Sequence, residues 1–115
     1  MTPFPSGTRI WLAAGHTEMR KGFHGLAVLV QQVLAQDPLS GHVFVFRGRS
    51  GNRIKVLWYD GQGFCLFYKF LERGKFVWPS TKNGKIQLTQ AELSMLLEGI
   101  DWRVTERTFE RHFAL

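Results

Sequence analysis

Residues 53–71, RIKVLWYDGQGFCLFYKFL, constrain this chain more than any other stretch. Two runs of period-two alternation flank Asp60-Gly61-Gln62-Gly63, and that spacing dictates a β-hairpin. In the first run Ile54, Val56 and Trp58 share one face, and Arg53, Lys55, Leu57 and Tyr59 share the other. In the returning run Phe64, Leu66, Tyr68 and Phe70 oppose Cys65, Phe67, Lys69 and Leu71. Successive strand residues point to opposite faces, so each run builds two surfaces at once.

The neighbouring segments extend this hairpin. Val43–Arg47 (VFVFR) is β-branched and aromatic, as strands are. Glu72-Arg73-Gly74-Lys75 predicts a further turn, and Phe76–Trp78 a third strand closed by Pro79. The middle of the chain therefore reads as an antiparallel meander. Thr8–Ala14 reads as a short strand, as does Ile86–Leu88. Leu26, Leu29, Val30, Val33 and Leu34 follow helical spacing from Phe23 to Gln36, where Asp37-Pro38 stops the helix. Thr89-Gln90-Ala91-Glu92 has the form of a capping box, ahead of a stripe of Leu93, Leu96, Leu97 and Ile100, with Gly99 at the helix end. The expected fold is α+β: one domain over residues 1–115, a β-meander with both amphipathic helices packed on one face. Flexible ends are expected at residues 1–7 and 104–115, with Phe109 and Phe113 one helical turn apart in the tail.

Charge is distributed unevenly. The chain carries a net +6 with a pI near 10.0. Residues 1–41 contribute +1, residues 42–79 contribute +5 and residues 80–115 contribute 0. The middle third holds Arg47, Arg49, Arg53, Lys55, Lys69, Arg73 and Lys75 against Asp60 and Glu72 alone. A solvated face usually mixes signs, whereas a nucleic-acid surface combines cations with aromatic platforms. Tyr68 and Trp78 are the rings expected to stack on bases. Arg20 and Lys21, placed just before the first helix, extend the basic set, because cations there oppose the helix dipole unless an anion joins them.

Catalytic constellations are thin. His16, His24, His42 and His112 show no helical metal-ligand spacing, and the single Cys65 supplies no zinc set. FRGRSGNR lacks the GxxxxGK[ST] pattern of a phosphate cradle. Asp60 reads as a turn residue and Glu72 as an ion-pair partner of its cationic neighbours. No enzyme activity, cofactor or metal is expected. No apolar run approaches a membrane span and the N-terminus lacks a secretory pattern, so a cytoplasmic address without membrane contact is expected.

TEMRKGFHGLAVLV, GHVFVFRGRSGNRIKVLWYDGQGFCLFYKFLERGKFVWP and LLEGIDWR together resemble the signature blocks of TnpB, the transposition accessory protein of the sixty-six-type bacterial insertion sequences. That family is unrelated to the RNA-guided nuclease of the same name. The resemblance runs from about Ser6 to Arg103 and implies a protein that works beside a separate transposase. Glu18 stands where the family usually has Asp, His24 where an acid is common, and Phe70 where Arg is usual. The reading that follows is a non-enzymatic accessory that binds element DNA through a basic, aromatic-rich sheet face. Two rivals are an adaptor docking the element-encoded transposase and a small basic ribonuclease.

Overall fold

The structure, a computed structural model, describes residues 4–80 and 85–99. Its strands are β1 (Ile10–Ala13), β2 (Val43–Arg47), β3 (Arg53–Tyr59), β4 (Phe64–Phe70) and β5 (Lys85–Leu88), and its helices are α1 (Phe23–Gln32) and α2 (Gln90–Glu98). The strands form one sheet in the order β4-β3-β2-β1-β5. The α+β class is as expected from the sequence.

The β2-β3-β4 portion is an antiparallel meander, with Val45 opposite Val56 and Val56 opposite Phe67. The Asp60–Gly63 hairpin forms as its sequence requires. Asp60 Oδ1 accepts from the amides of Gln62 and Gly63, both at 2.9 Å, and Gly61 takes φ +100°. The meander does not cover the whole sheet, however. β1 joins β2 in parallel, with Ile10 opposite Val43, and α1 is the crossover that parallel neighbours need. β5 then pairs antiparallel with β1, Ile10 lying opposite Leu88.

Phe76–Trp78, expected as a third hairpin strand, is not one of the five strands of the sheet. Its hydrogen bonds go to a turn instead: the Phe76 amide and the Trp78 indole both donate to the Gly51 carbonyl, at 3.0 and 2.9 Å. Gly51 adopts φ +78°, a region glycine enters freely.

The two helices cover opposite faces of the sheet, which corrects the one-face expectation. On one face Leu26, Val30 and Leu34 pack with Ala13, Phe44, Phe46 and Leu57. On the other, Leu93 and Leu96 pack with Ile10, Leu12, Val43, Val45, Ile54, Val56, Phe76 and Leu88. α1 ends at Gln32 rather than Gln36. Val33 is its C-cap and stands 49 % exposed, outside the core that helical spacing assigned it. α2 starts and stops as expected: Thr89 and Glu92 exchange both capping-box bonds, and Gly99 closes the helix in the left-handed region.

Among the described residues no helix is long and apolar enough to cross a membrane. The turn at 81–84, Ile100, and the tail with its expected Phe109–Phe113 contact lie outside the described residues.

Candidate nucleic-acid interface

Period-two alternation sends the middle-third cations to two different faces, so they do not make a single basic plane. On the α1 face lie Arg53 and Lys55 of β3 with Tyr68 and Phe70 of β4, beyond the core that α1 covers. Arg47 and Lys69 point to the α2 face. Arg49, Arg73 and Lys75 occupy the turns at that end of the sheet.

The α1-face group has a definite geometry. Arg53 lies opposite Phe70, and Lys55 opposite Tyr68. The bonds Leu71 N–H to Asn52 O and Asp60 N–H to Gly63 O flank this ladder. Alternation between them makes 53/70 and 55/68 non-hydrogen-bonded pairs, the kind whose side chains approach most closely. The Arg53 guanidinium sits 4.6 Å from the Phe70 ring centroid and also donates to Tyr68 Oη at 3.1 Å. The Lys55 ammonium sits 4.8 Å from the Tyr68 centroid and donates to the Lys21 carbonyl at 2.9 Å. Both distances fall within cation–π range. Lys55 is only 6 % exposed, while Tyr68 and Phe70 are 46 % and 52 % exposed. The surface therefore presents two rings backed by two cations.

Arg53 also borders a cleft of about 300 Å³ lined by His16, Thr17, Glu18, Met19, Arg49 and Ser50. The loop before α1 is held there by the Thr17 amide, which donates to Arg47 O at 2.8 Å. Gly48 lets this loop approach closely, because a Cβ at that position would lie 3.0 Å from Met19 Cγ and 3.1 Å from Arg53 Cβ. A larger cleft of about 500 Å³, beside Phe4, Leu39 and Trp58, has Asp60 as its one charged lining residue and offers an anion nothing.

The remaining sequence-selected residues are placed differently. Arg20 pairs with Glu18 at 3.1 Å, which lowers the Glu18 carboxyl pKa and raises that of the guanidinium. Lys21 is exposed beside the uncapped N-terminus of α1, and its stem packs where a Gly25 Cβ would lie. Trp78 is half-buried, pinned through its indole to Gly51 O, edge-on to Phe76, and covered by Arg47 at 5.4 Å. Its role is to clamp the Gly48–Asn52 turn. Lys69 donates to the Leu97 carbonyl at 2.7 Å and so ties β4 to α2. Sequence reasoning did not assign Phe70 to the site, although Arg53 and Phe70 stand directly opposite each other in the hairpin register that Asp60-Gly61-Gln62-Gly63 implies.

Asp60 serves the turn. Its acceptance of the Gln62 amide first, and the Gly63 amide next, holds the carboxyl below its ordinary range. Desolvation, and then the Asp60 charge, push the Cys65 thiol upward. Among the described residues no three His, Cys, Asp or Glu side chains gather into a possible metal cluster.

The chain matches the family model described as IS66 Orf2 like protein over residues 8–107. It is similar to the uncharacterized protein y4hO of Sinorhizobium fredii (strain NBRC 101917 / NGR234), with 56 % identity over 109 residues and 95 % of each chain covered. A second protein of that strain, y4jC, is 39 % identical over 101 residues, covering 88 % of this chain and 86 % of its own. No solved structure matches.

Proposed function

The chain belongs to the IS66 Orf2-like family, whose role is accessory to transposition, and from that premise we propose that it serves by binding element DNA through the Arg53–Lys55–Tyr68–Phe70 surface and the adjoining Arg49 cleft. The observation that carries this reading is the absence of counter-charge. Among the described residues the only ion pair is Arg20–Glu18, so Arg47, Arg49, Arg53, Lys55, Lys69, Arg73 and Lys75 pair with no carboxylate there. Of these, Arg49, Arg53, Arg73 and Lys75 are exposed and phosphates are their natural complement, whereas Lys55, Lys69 and Arg47 are engaged by Lys21 O, Leu97 O and the Trp78 ring. Exposed rings beside the exposed cations suit unstacked bases, because every base has a π-face. The surface works by charge and stacking, without bond-making chemistry, and the DNA is met in the cytoplasm.

The test is fluorescence anisotropy with labelled single- and double-stranded oligonucleotides across a salt titration. Affinity is expected to fall with salt by a slope of about 0.7 to 0.9 per phosphate contact. A flat salt response would end the DNA reading. Retention of a transposase after nuclease treatment would put the adaptor reading in its place, since exposed aromatics with arginine also make protein hot spots.

A further inference from the structure

Strand β4 lies at the edge of the sheet, and no strand among the described residues pairs with its outer side. The hydrogen-bond parity of the hairpin turns Cys65, Phe67 and Lys69 inward to β3. The backbone N–H and C=O groups of Phe64, Leu66, Tyr68 and Phe70 therefore point outward in the plane of the sheet. Seven residues long and apolar but for Lys69, this is the kind of edge that proteins ordinarily blunt with charge, proline or a bulge. Lys69 does not guard it, because its ammonium is turned to the α2 face and bound to Leu97 O.

We propose that this edge binds the same edge of a second copy of the chain, antiparallel, about a twofold axis at Phe67. The sequence FCLFYKF fits itself in that register. Phe64 meets Phe70 of the second copy, Leu66 meets Tyr68, Cys65 meets Lys69, and Phe67 meets Phe67. Outward-pointing groups meet outward-pointing groups, so Phe64/Phe70 and Leu66/Tyr68 become hydrogen-bonded pairs without disturbing β3. No like charges stand opposite one another along the strand, whereas a shift of four in the register sum would set Lys69 against Lys69. An isologous contact of this kind closes on itself and builds no fibre. The two sheets become one, and the exposed Tyr68 and Phe70 rings gain apolar cross-strand neighbours. A perpendicular twofold keeps both α1 faces on the same side. The pairing does not depend on DNA binding.

The experiment is sedimentation of the full chain over a concentration series with two variants. The wild type is expected to approach twice the 13.3 kDa chain mass. Leu66→Pro removes an outward N–H that β3 does not use, a place where an edge strand tolerates proline, and is expected to leave a monomer with an unchanged circular dichroism spectrum. Lys69→Cys sets a thiol opposite the native Cys65 of the second copy and is expected to yield a covalent dimer on mild oxidation. Wild-type Cys65 is not expected to crosslink, since its own mate lies four residues out of register, ~13 Å away. A wild type that stays monomeric throughout overturns the proposal. So does a dimer in which Lys69→Cys fails to crosslink, and that arm decides the matter should Leu66→Pro unfold.

Discussion

The Lys55 ammonium is held between the Tyr68 ring, 4.8 Å from its centroid, and the Lys21 carbonyl, 2.9 Å away. One buried cation thus joins β3, β4 and the entry to α1. Lys55→Ala is expected to lower stability by about 1–3 kcal/mol, because it strands a carbonyl that now accepts a charged hydrogen bond. Arg73→Ala, at an exposed bend, is expected to change stability by less than about 0.5 kcal/mol. Urea melts of both variants check the contrast, and equal effects would show that Lys55 is not a structural tie.

The Phe70 ring meets the Arg53 guanidinium at 4.6 Å. Phe70→Arg replaces that contact with two like charges across one strand pair, so a loss of roughly 0.5–1 kcal/mol in stability is expected. If this surface reaches phosphates, the same variant steepens the salt slope of DNA binding by about one contact. The double variant Arg73→Ala with Lys75→Ala is expected to weaken binding across unrelated sequences and to flatten the slope. Anisotropy and a thermal melt on the same samples separate the two effects.

Asp60 sets an acid limit on the hairpin. Its folded pKa lies below the ordinary value, so its contribution is fully present above about pH 3.9 and is lost as pH falls through the folded pKa. Asp60→Asn keeps an oxygen for the Gln62 and Gly63 amides but removes the charge. Melting temperatures between about pH 6 and 2 are expected to fall less steeply in the variant than in the wild type. Because Glu18 titrates with the same sign in both proteins, their difference isolates Asp60.

Ala35 adopts φ +52° just after α1, the one non-glycine among the described residues in that region. A side chain there costs about 1 kcal/mol relative to glycine. Ala35→Gly is therefore expected to raise stability by about 0.5–1 kcal/mol, an increase of several degrees in melting temperature for a chain of this size.

Local features were legible in the sequence where one residue type decides one geometry. The Asp60–Gly63 turn, the alternation of β3 and β4, and the Thr89–Glu92 box all formed as their chemistry requires. The full sheet order was not legible, because alternation names faces but not neighbours, although the strand–helix–strand succession of β1, α1 and β2 is itself the pattern of a parallel crossover. The sides of the two helices carried a signal that was passed over. β2 reads VFVF, apolar on both faces, as a strand does when both sides are covered. Phe44 and Phe46 accordingly meet α1, and Val43 and Val45 share a cluster with α2. In the candidate site the cations were identified by composition, but their division between two faces follows from the parity of Arg47, Arg53, Lys55 and Lys69. The burial of Lys55 depends on the Lys21 backbone, which spacing does not reveal.

The pairing of Ile10 with Leu88 also sets the order in which the chain can fold. The hairpins from Val43 to Phe70 join residues close in sequence and can form early, whereas β1, once beside β2, gains its second neighbour only from the far end of the chain. Closing so long a loop is slow. Until β5 arrives, Ile10–Ala13 carries an open ladder of its own, so a truncation before Lys85 is expected to leave this apolar core strand as the sheet edge in place of β5 and to give an aggregating fragment.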